Sequence, residues 1–296
     1  EDSEWESHPD TLMFPHGFAI APDGSIVLTY DQSKSLTKYD YCGKIEWRIQ
    51  GSFDHIISFN STKDSVWVSE MTNKDQILKI NYSDGKILRK ISMQDIIDSN
   101  KEIDVFGVNQ NDNDKNSEWI EDPWHFNDIE ELSPELAKNY PLFQSGDLLL
   151  SFRNLNLICV IDPKTLKVKW WRQGLARRQH DPDWNKNGTI TLFNNNMHRK
   201  FSNIMEINPE NYEYSIPIKG EGYNFYSRIR GKHQFLNNGN FLITSSHQGR
   251  VLEIDPEEEV VFEFLNLYNK ENKEYLFVSE AKLLPLDFFN NLPKCN

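Results

Sequence analysis

The sequence predicts an all-β chain, a single β-propeller domain over residues 1–296. Three observations predict it: a unit that recurs at a nearly constant interval, turns of the Asp-Gly and Asn-Gly type ahead of each unit, and no helical period of comparable strength between them. The unit is a short strand, an Asp or Asn, a turn and a second strand. It reads LTKYDYCGKIEWRI at 36–49, ILKINYSDGKILRK at 77–90 and ICVIDPKTLKVKWW at 158–171, then IMEINPENYEYSIP at 204–217 and VLEIDPEEEVVFEF at 251–264. Asp and Asn end a strand by bonding back to their own backbone, and Pro or Gly fixes the turn that follows.

The aligned residues Asp40, Asn81, Asp162, Asn208 and Asp255 lie 41, 81, 46 and 47 apart. An interval of about 40–45 residues is that of a four-stranded propeller blade. The stretches AIAPDGSIVLTY, DWNKNGTITLF and QFLNNGNFLIT supply the strand-turn-strand that precedes a unit. Five blades are visible, and a sixth, assembled from irregular and terminal strands, gives an expected six-bladed ring closed by the two chain ends. Residues 92–140 break the pattern and read as an insertion of loop and short helix. Met93–Asn100 is expected to be helical, as is the Ser-Pro-Glu start at 133–138, while 109–121 is expected to be a polar loop.

Composition bounds the function. The formal net charge of −13 excludes a general nucleic-acid binder, which needs a basic field. No apolar run approaches the ~20 residues of a membrane-spanning helix. Cys42, Cys159 and Cys295 allow at most one bridge, and with no Cys-x-x-Cys spacing a cysteine-based zinc or redox site is not expected. The sequence begins at Glu1 without a hydrophobic leader, which fits a signal-cleaved or trimmed form.

The histidines fall on the repeat. His16 precedes Ile20 by four residues, His55 precedes Phe59, His125 precedes Ile129 and His180 precedes Trp184, each before a turn. His233 stands near the same place, shifted by a residue. If these are innermost strands, alternation turns the imidazoles toward one axial channel. Arg177 and Arg178 flank His180, Arg199 follows the next strand, and Arg228 and Arg230 precede His233. Guanidinium groups bind planar and tetrahedral oxyanions, so a local anion site is expected in a chain that is acidic overall. Beside His125, Asn127, Asp128 and Glu130 offer oxygen ligands for calcium, or carboxylates that orient the imidazole. Trp124 and Tyr226 are candidates for an aromatic substrate wall.

The stretches WHFNDIEEL, GDLLLSFRNLNLICVIDPKTLKVKWW, RRQHDPDWNKNGTITLFNNN and GKHQFLNNGNFLITSSHQGRVLEIDP together resemble the arylsulfotransferase family, and within it a compact arylsulfotransferase-like branch. The resemblance covers about residues 124–256 well and the N-terminal third weakly. It implies a six-bladed propeller with an axial site. There a histidine takes the sulfuryl group from a phenolic sulfate ester and passes it to a phenol, with no nucleotide donor and no required cofactor. By motif, His125 and His180 match channel histidines, Arg199 the arginine, and His233 the nucleophile, with His180 second in that role. Arg177, Arg178, Arg228, His16, His55, Trp124 and Tyr226 are then expected around a small aromatic or anionic substrate. The family implies a periplasmic or secreted location. FNNNMHRKF departs from the family's FDNG-type turn, and there is no room for the additional N-terminal domain of the larger enzymes.

Two other readings stay open. A channel of imidazoles can hold a transition metal through His125, His180 and His233, and Asn127, Asp128 and Glu130 can hold calcium, either of which implies a metal-dependent oxygenase, hydrolase or lactonase. A propeller is also a common non-catalytic binding platform.

Overall fold

A computed structural model describes residues 15–30, 35–70, 76–107, 124–271, 274–292 and 294–295. The expected polar loop at 109–121 lies outside them. Five antiparallel four-stranded sheets follow one another along the chain. They are β1 (Pro15–Ile20), β2 (Ile26–Tyr30), β3 (Ser35–Tyr39) and β4 (Ile45–Gln50); β5 (Phe53–Phe59), β6 (Ser65–Glu70), β7 (Gln76–Asn81) and β8 (Ile87–Ser92); and β9 (Phe126–Glu131), β10 (Leu148–Phe152), β11 (Leu157–Ile161) and β12 (Val168–Gln173). The fourth holds β13 (His180–Trp184), β14 (Ile190–Asn194), β15 (Asn203–Ile207) and β16 (Tyr214–Lys219), and the fifth β17 (Lys232–Phe235), β18 (Phe241–Ser245), β19 (Arg250–Ile254) and β20 (Val260–Leu265). The innermost strands lie against one another in order, β1 on β5, β5 on β9, β9 on β13 and β13 on β17, so the sheets are blades of a propeller.

The Asx turns behave as the repeat requires. The Oδ1 of Asp40, Asn81, Asp162, Asn208 and Asp255 each accepts a backbone N–H two or four residues on, which stops the third strand and starts the fourth. Burial is organised between blades. Val27 and Leu36 meet Val66 and Leu78; Trp67 and Ile77 meet Leu150 and Phe152; Val160 and Trp170 meet Leu192 and Met205; Phe193 and Ile204 meet Ile243 and Leu252. Both faces of β10, β11 and β14 are buried, which is why they read as continuous apolar runs.

Short helices stand at the interruptions. Helix α1 (Met93–Ser99) carries a capping box, Ser92 accepting from the Asp95 N–H while the Asp95 carboxylate accepts from the Ser92 backbone. Helix α2 (Pro134–Ala137) starts at the Ser-Pro step with Ser133 as its N-cap. Helix α3 (Gly220–Tyr223) follows β16.

The expected closure of the ring by the two chain ends falls in part on residues 1–14, which lie outside the described residues. Each sheet takes its strands from one stretch of chain, and among the described residues no sixth four-stranded sheet and no blade shared by the chain ends is found. After β20 comes a hairpin of β21 (Leu267–Asn269) and β22 (Glu274–Tyr275), then an extended strap. Val278 and Ala281 pack on Leu236, Leu242 and Val251 of the fifth blade. The Ala281 N–H donates to Thr244 Oγ1 and the Leu283 N–H to Gln234 Oε1. The strap then reaches the first blade, where Cys295 is bonded to Cys42 across 253 residues of sequence. Cys159 is the thiol left over, buried in the third blade.

A bridge that closes so long a loop chiefly restricts the unfolded chain. Replacing Cys42 by Ser is expected to lower stability by about 2–5 kcal/mol, read as a fall in the denaturant midpoint, while Cys159→Ser leaves the bridge and most of that stability in place.

Candidate active site

The turn that ends each innermost strand gives a common register. Its opening N–H belongs to Ala21, Asn60, Asn185 and Leu236 in the first, second, fourth and fifth blades. Five positions earlier stand His16, His55, His180 and Gly231, which meet at one end of the axial channel. In the fifth blade glycine leaves the place open, and the neighbouring Arg230 fills it. In the third blade that count falls on Asn127. His125 reaches the channel two residues earlier through a left-handed backbone, φ 47°. The His55 ring lies 4.8 Å from that of His16, 5.9 Å from His180 and 6.4 Å from His125. Such close approach of β1 and β5 requires Gly17, since a Cβ there would meet the His55 carbonyl oxygen at 2.2 Å.

Each imidazole is differently held. His55 Nδ1 is bonded to the Asp54 carboxylate, and its Nε2 is buried without a hydrogen-bond partner among the described residues. Asp54 also accepts the His55 backbone N–H at 2.7 Å, and its contacts with His55 hold it well below the usual carboxylate range despite burial. His180 Nδ1 donates to Asn195 Oδ1 at 2.6 Å, and its Nε2 accepts the Arg230 backbone N–H at 3.3 Å. Burial and the neighbouring imidazoles push His180 well below the ordinary histidine range, and His16 down to about 3. These are neutral rings with lone pairs, beside a guanidinium.

Farther along the axis the channel widens into a cavity of about 480 Å³ of a different character. Alternation puts Asp128 and Glu130 of β9, Asp181 and Asp183 of β13, and Lys232 and Gln234 of β17 on its wall, with Glu280 of the strap. Lys232 and Glu280 border both this cavity and the imidazole end. Lys232 Nζ contacts Asp181 Oδ1 at 2.7 Å, and His233 donates to Asp181 Oδ2 from its backbone N–H at 2.5 Å and faces it with Nδ1 at 3.0 Å. Asp181 is thereby held ionised, well below the usual range. Burial and like charge push Asp128 up to about 7, Glu130 to about 8, and Asp183 well above the usual carboxylate value.

The structure thus gathers His16, His55, His125 and His180 from the expected residues. His233 stands in a second layer, with Nδ1 on Asp181 and Nε2 on Thr191 Oγ1 at 2.7 Å. Arg177, Arg199 and Arg228 are exposed and line neither cavity. Arg178 is bonded to Asn154, the Trp124 indole donates to the Phe106 carbonyl at 3.1 Å, and the Tyr226 N–H donates to Gln248. Asn127 donates to the Gln179 carbonyl, on the strand face opposite Asp128 and Glu130, so the three do not converge. Among the described residues His125, His180 and His233 do not form a metal-ligating group. The groups whose donor atoms lie within 4.8 Å of one another are His16, Asp54 and His55, and Asp181, Asp183 and His233. Asp54, Asn195 and Glu280 escaped the sequence reading as site residues, whereas Arg230 was among the arginines expected at an anion site. Only Asp54 carried a local signal, its place beside His55.

The titrations fix a pH dependence. His16 is neutral in the folded chain and protonates on unfolding near pH 6.5, so it costs stability only as pH falls below that value. Asp128 and Glu130 hold protons when folded and release them when unfolded, so their contribution is lost as pH rises through about 7 and about 8. Between about pH 6.5 and 9 only the carboxylate effect remains. The denaturant midpoint is expected to fall over that range, and Glu130→Gln to flatten the fall.

Among solved structures, the chain is similar to a protein of unknown function from Bacteroides caccae, with 15% identity, 86% of this chain and 82% of that one covered, and a TM-score of 0.59. It is also similar to virginiamycin B lyase from Staphylococcus aureus (13% identity, 88% and 73% covered, TM-score 0.50) and to the RRP9 WD40 repeats (8% identity, 86% and 64% covered, TM-score 0.52). At these identities the likeness is of fold alone. No curated protein matches the sequence. The model of the arylsulfotransferase (ASST) family, however, matches residues 55–267, from the central histidine of the ring to the end of the fifth blade; the chain belongs to the arylsulfotransferase family.

Proposed function

We propose that this protein moves a sulfuryl group from a phenolic sulfate ester to a phenol through a sulfated histidine, and that the histidine is His55. The observation that carries the choice is the pairing of its two nitrogens. Asp54 holds the proton on Nδ1, which leaves the lone pair on Nε2, and that atom has no hydrogen-bond partner among the described residues. His233 and His180, the first candidates by motif, have both nitrogens engaged by protein groups.

In the first half-reaction Nε2 attacks sulfur, the ester S–O bond breaks, and the phenolate leaves with the electron pair. In the second, the acceptor hydroxyl loses its proton to a neighbouring neutral imidazole, for which His16 is placed. The oxygen bonds to sulfur, and the S–N pair returns to Nε2. Charge spreads over the sulfuryl oxygens as they pass between partners, and Arg230, which lines this end of the channel and whose charge is felt at His16, would stabilise it. No cofactor is needed. The disulfide supports an oxidising location, periplasmic or secreted. Among the described residues no helix is long and apolar enough to cross a membrane.

A second reading, a metal centre on His16, Asp54 and His55, is favoured by their spacing and opposed by Arg230 in the same cluster. Intact mass after brief exposure to an aryl sulfate separates the two. One added sulfuryl group, discharged by a phenol and absent in His55→Ala, is the expected result. No adduct, together with one bound metal ion per chain, overturns it. Arg230→Ala is expected to slow turnover about 10²–10³-fold while the adduct still forms on long incubation, measured by aryl sulfate hydrolysis and transfer rates.

A further inference from the structure

The imidazole end suits an anion, yet the roomy part of the channel is lined by carboxylates. Asp128 has a side chain only 8% exposed, faces the cavity, and has Lys232 Nζ at 3.6 Å as its partner, beyond hydrogen-bond distance. The carboxylate of Asp183, its side chain 27% exposed toward the cavity, has the His233 Nε2 at 3.6 Å. Carboxylates gathered in a partly desolvated cavity are costly unless protons or cations meet them. Lys232 is shared between Asp181 at 2.7 Å and Asp128 at 3.6 Å, and with Lys63 and Lys282 it makes three lysines against the five carboxylates of the wall, Asp128, Glu130, Asp181, Asp183 and Glu280.

A bare metal ion fits poorly. In the group Asp181, Asp183 and His233, both Asp181 oxygens and both imidazole nitrogens already have protein partners. Phe18, Phe59 and Trp184 give the cavity an apolar wall that a small inorganic ion would not use. A volume near 480 Å³ is that of a small organic molecule's site.

We propose that this acidic half of the channel is the acceptor subsite and that it selects phenols bearing a protonated amine, the ammonium between Asp128 and Asp183 and the hydroxyl at the imidazole end. The assignment of the hydroxyl rests on the sulfotransfer reading; the ammonium site does not. Along β13 the step from His180 to Asp183 is three residues, at most about 10 Å of strand, a span that a para-substituted phenol with a short aminoalkyl arm bridges. The aryl ring then lies against the apolar wall. The raised proton affinity of Asp128 and Glu130 accords with this, because burial and like charge there are offset only in part by Lys232 and Lys282.

The test is calorimetric binding of tyramine, para-ethylphenol and para-hydroxyphenylpropionate to the unaltered chain, near neutral pH, followed by Asp183→Asn. Tyramine is expected to bind at least about tenfold tighter than the neutral phenol, as one charge-assisted hydrogen bond allows, and the propionate weakest. Asp183→Asn removes the preference. The three-ligand comparison needs no variant, so a folding defect in Asp183→Asn leaves it decisive. Equal binding of the three, or displacement of tyramine by stoichiometric calcium or zinc, overturns the proposal. Amine preference without sulfation of His55 supports the cation subsite and removes the sulfotransfer reading; sulfation with no amine preference does the reverse.

Discussion

Packing of one four-stranded sheet on the face of the next is the constraint from which the other features of this chain follow. Four apolar clusters lie between successive blades, and a fifth lies under the C-terminal strap. Faces packed in this way turn the innermost strands toward one axis. Residues far apart in sequence then become neighbours wherever they share a register. His16, His55 and His180 meet because the same turn ends each of their strands. The alternation that points one side chain at the channel points the next into an inter-blade cluster, so the wall of the site and the hydrophobic core are two faces of the same strands.

The channel that results is electrically divided. At one end neutral imidazoles and Arg230 surround His55; at the other a set of carboxylates surrounds a larger space. Lys232 borders both parts and is paired with Asp181. This division explains why an acidic chain of net charge −13 can still present an anion-accepting point. The local arrangement of a few buried groups, in a medium that screens poorly, outweighs the exposed charges on the outer strands.

What could be read from the residues followed the range of the physics behind it. Turn chemistry is local, so the five Asx turns and the capped starts of α1 and α2 were legible. The ring of histidines was legible where strand register alone places them. His125 arrives through a left-handed residue that the spacing hides, and the fifth blade offers Arg230 where a histidine was sought. Runs of arginine mark charge but not the face it occupies, and so Arg177, Arg199 and Arg228 stand in solvent. Glu280 enters the site from a strap more than two hundred residues from the first blade, with no local signal. The closure of the chain by the Cys42–Cys295 bridge was hidden for the same reason, since it joins segments 253 residues apart.

That closure sets an order of events for a chain made from its N-terminus. Cys42 emerges early, and from the making of Cys159 until Cys295, 136 residues later, Cys159 is the other thiol present. The wrong bridge is then the one available first. Once the third blade folds, Cys159 is sealed inside it and burial pushes its thiol far from the ionised form that attacks a disulfide. Folding of the middle of the chain therefore acts as the proofreading step, holding Cys42 in reserve until Cys295 arrives.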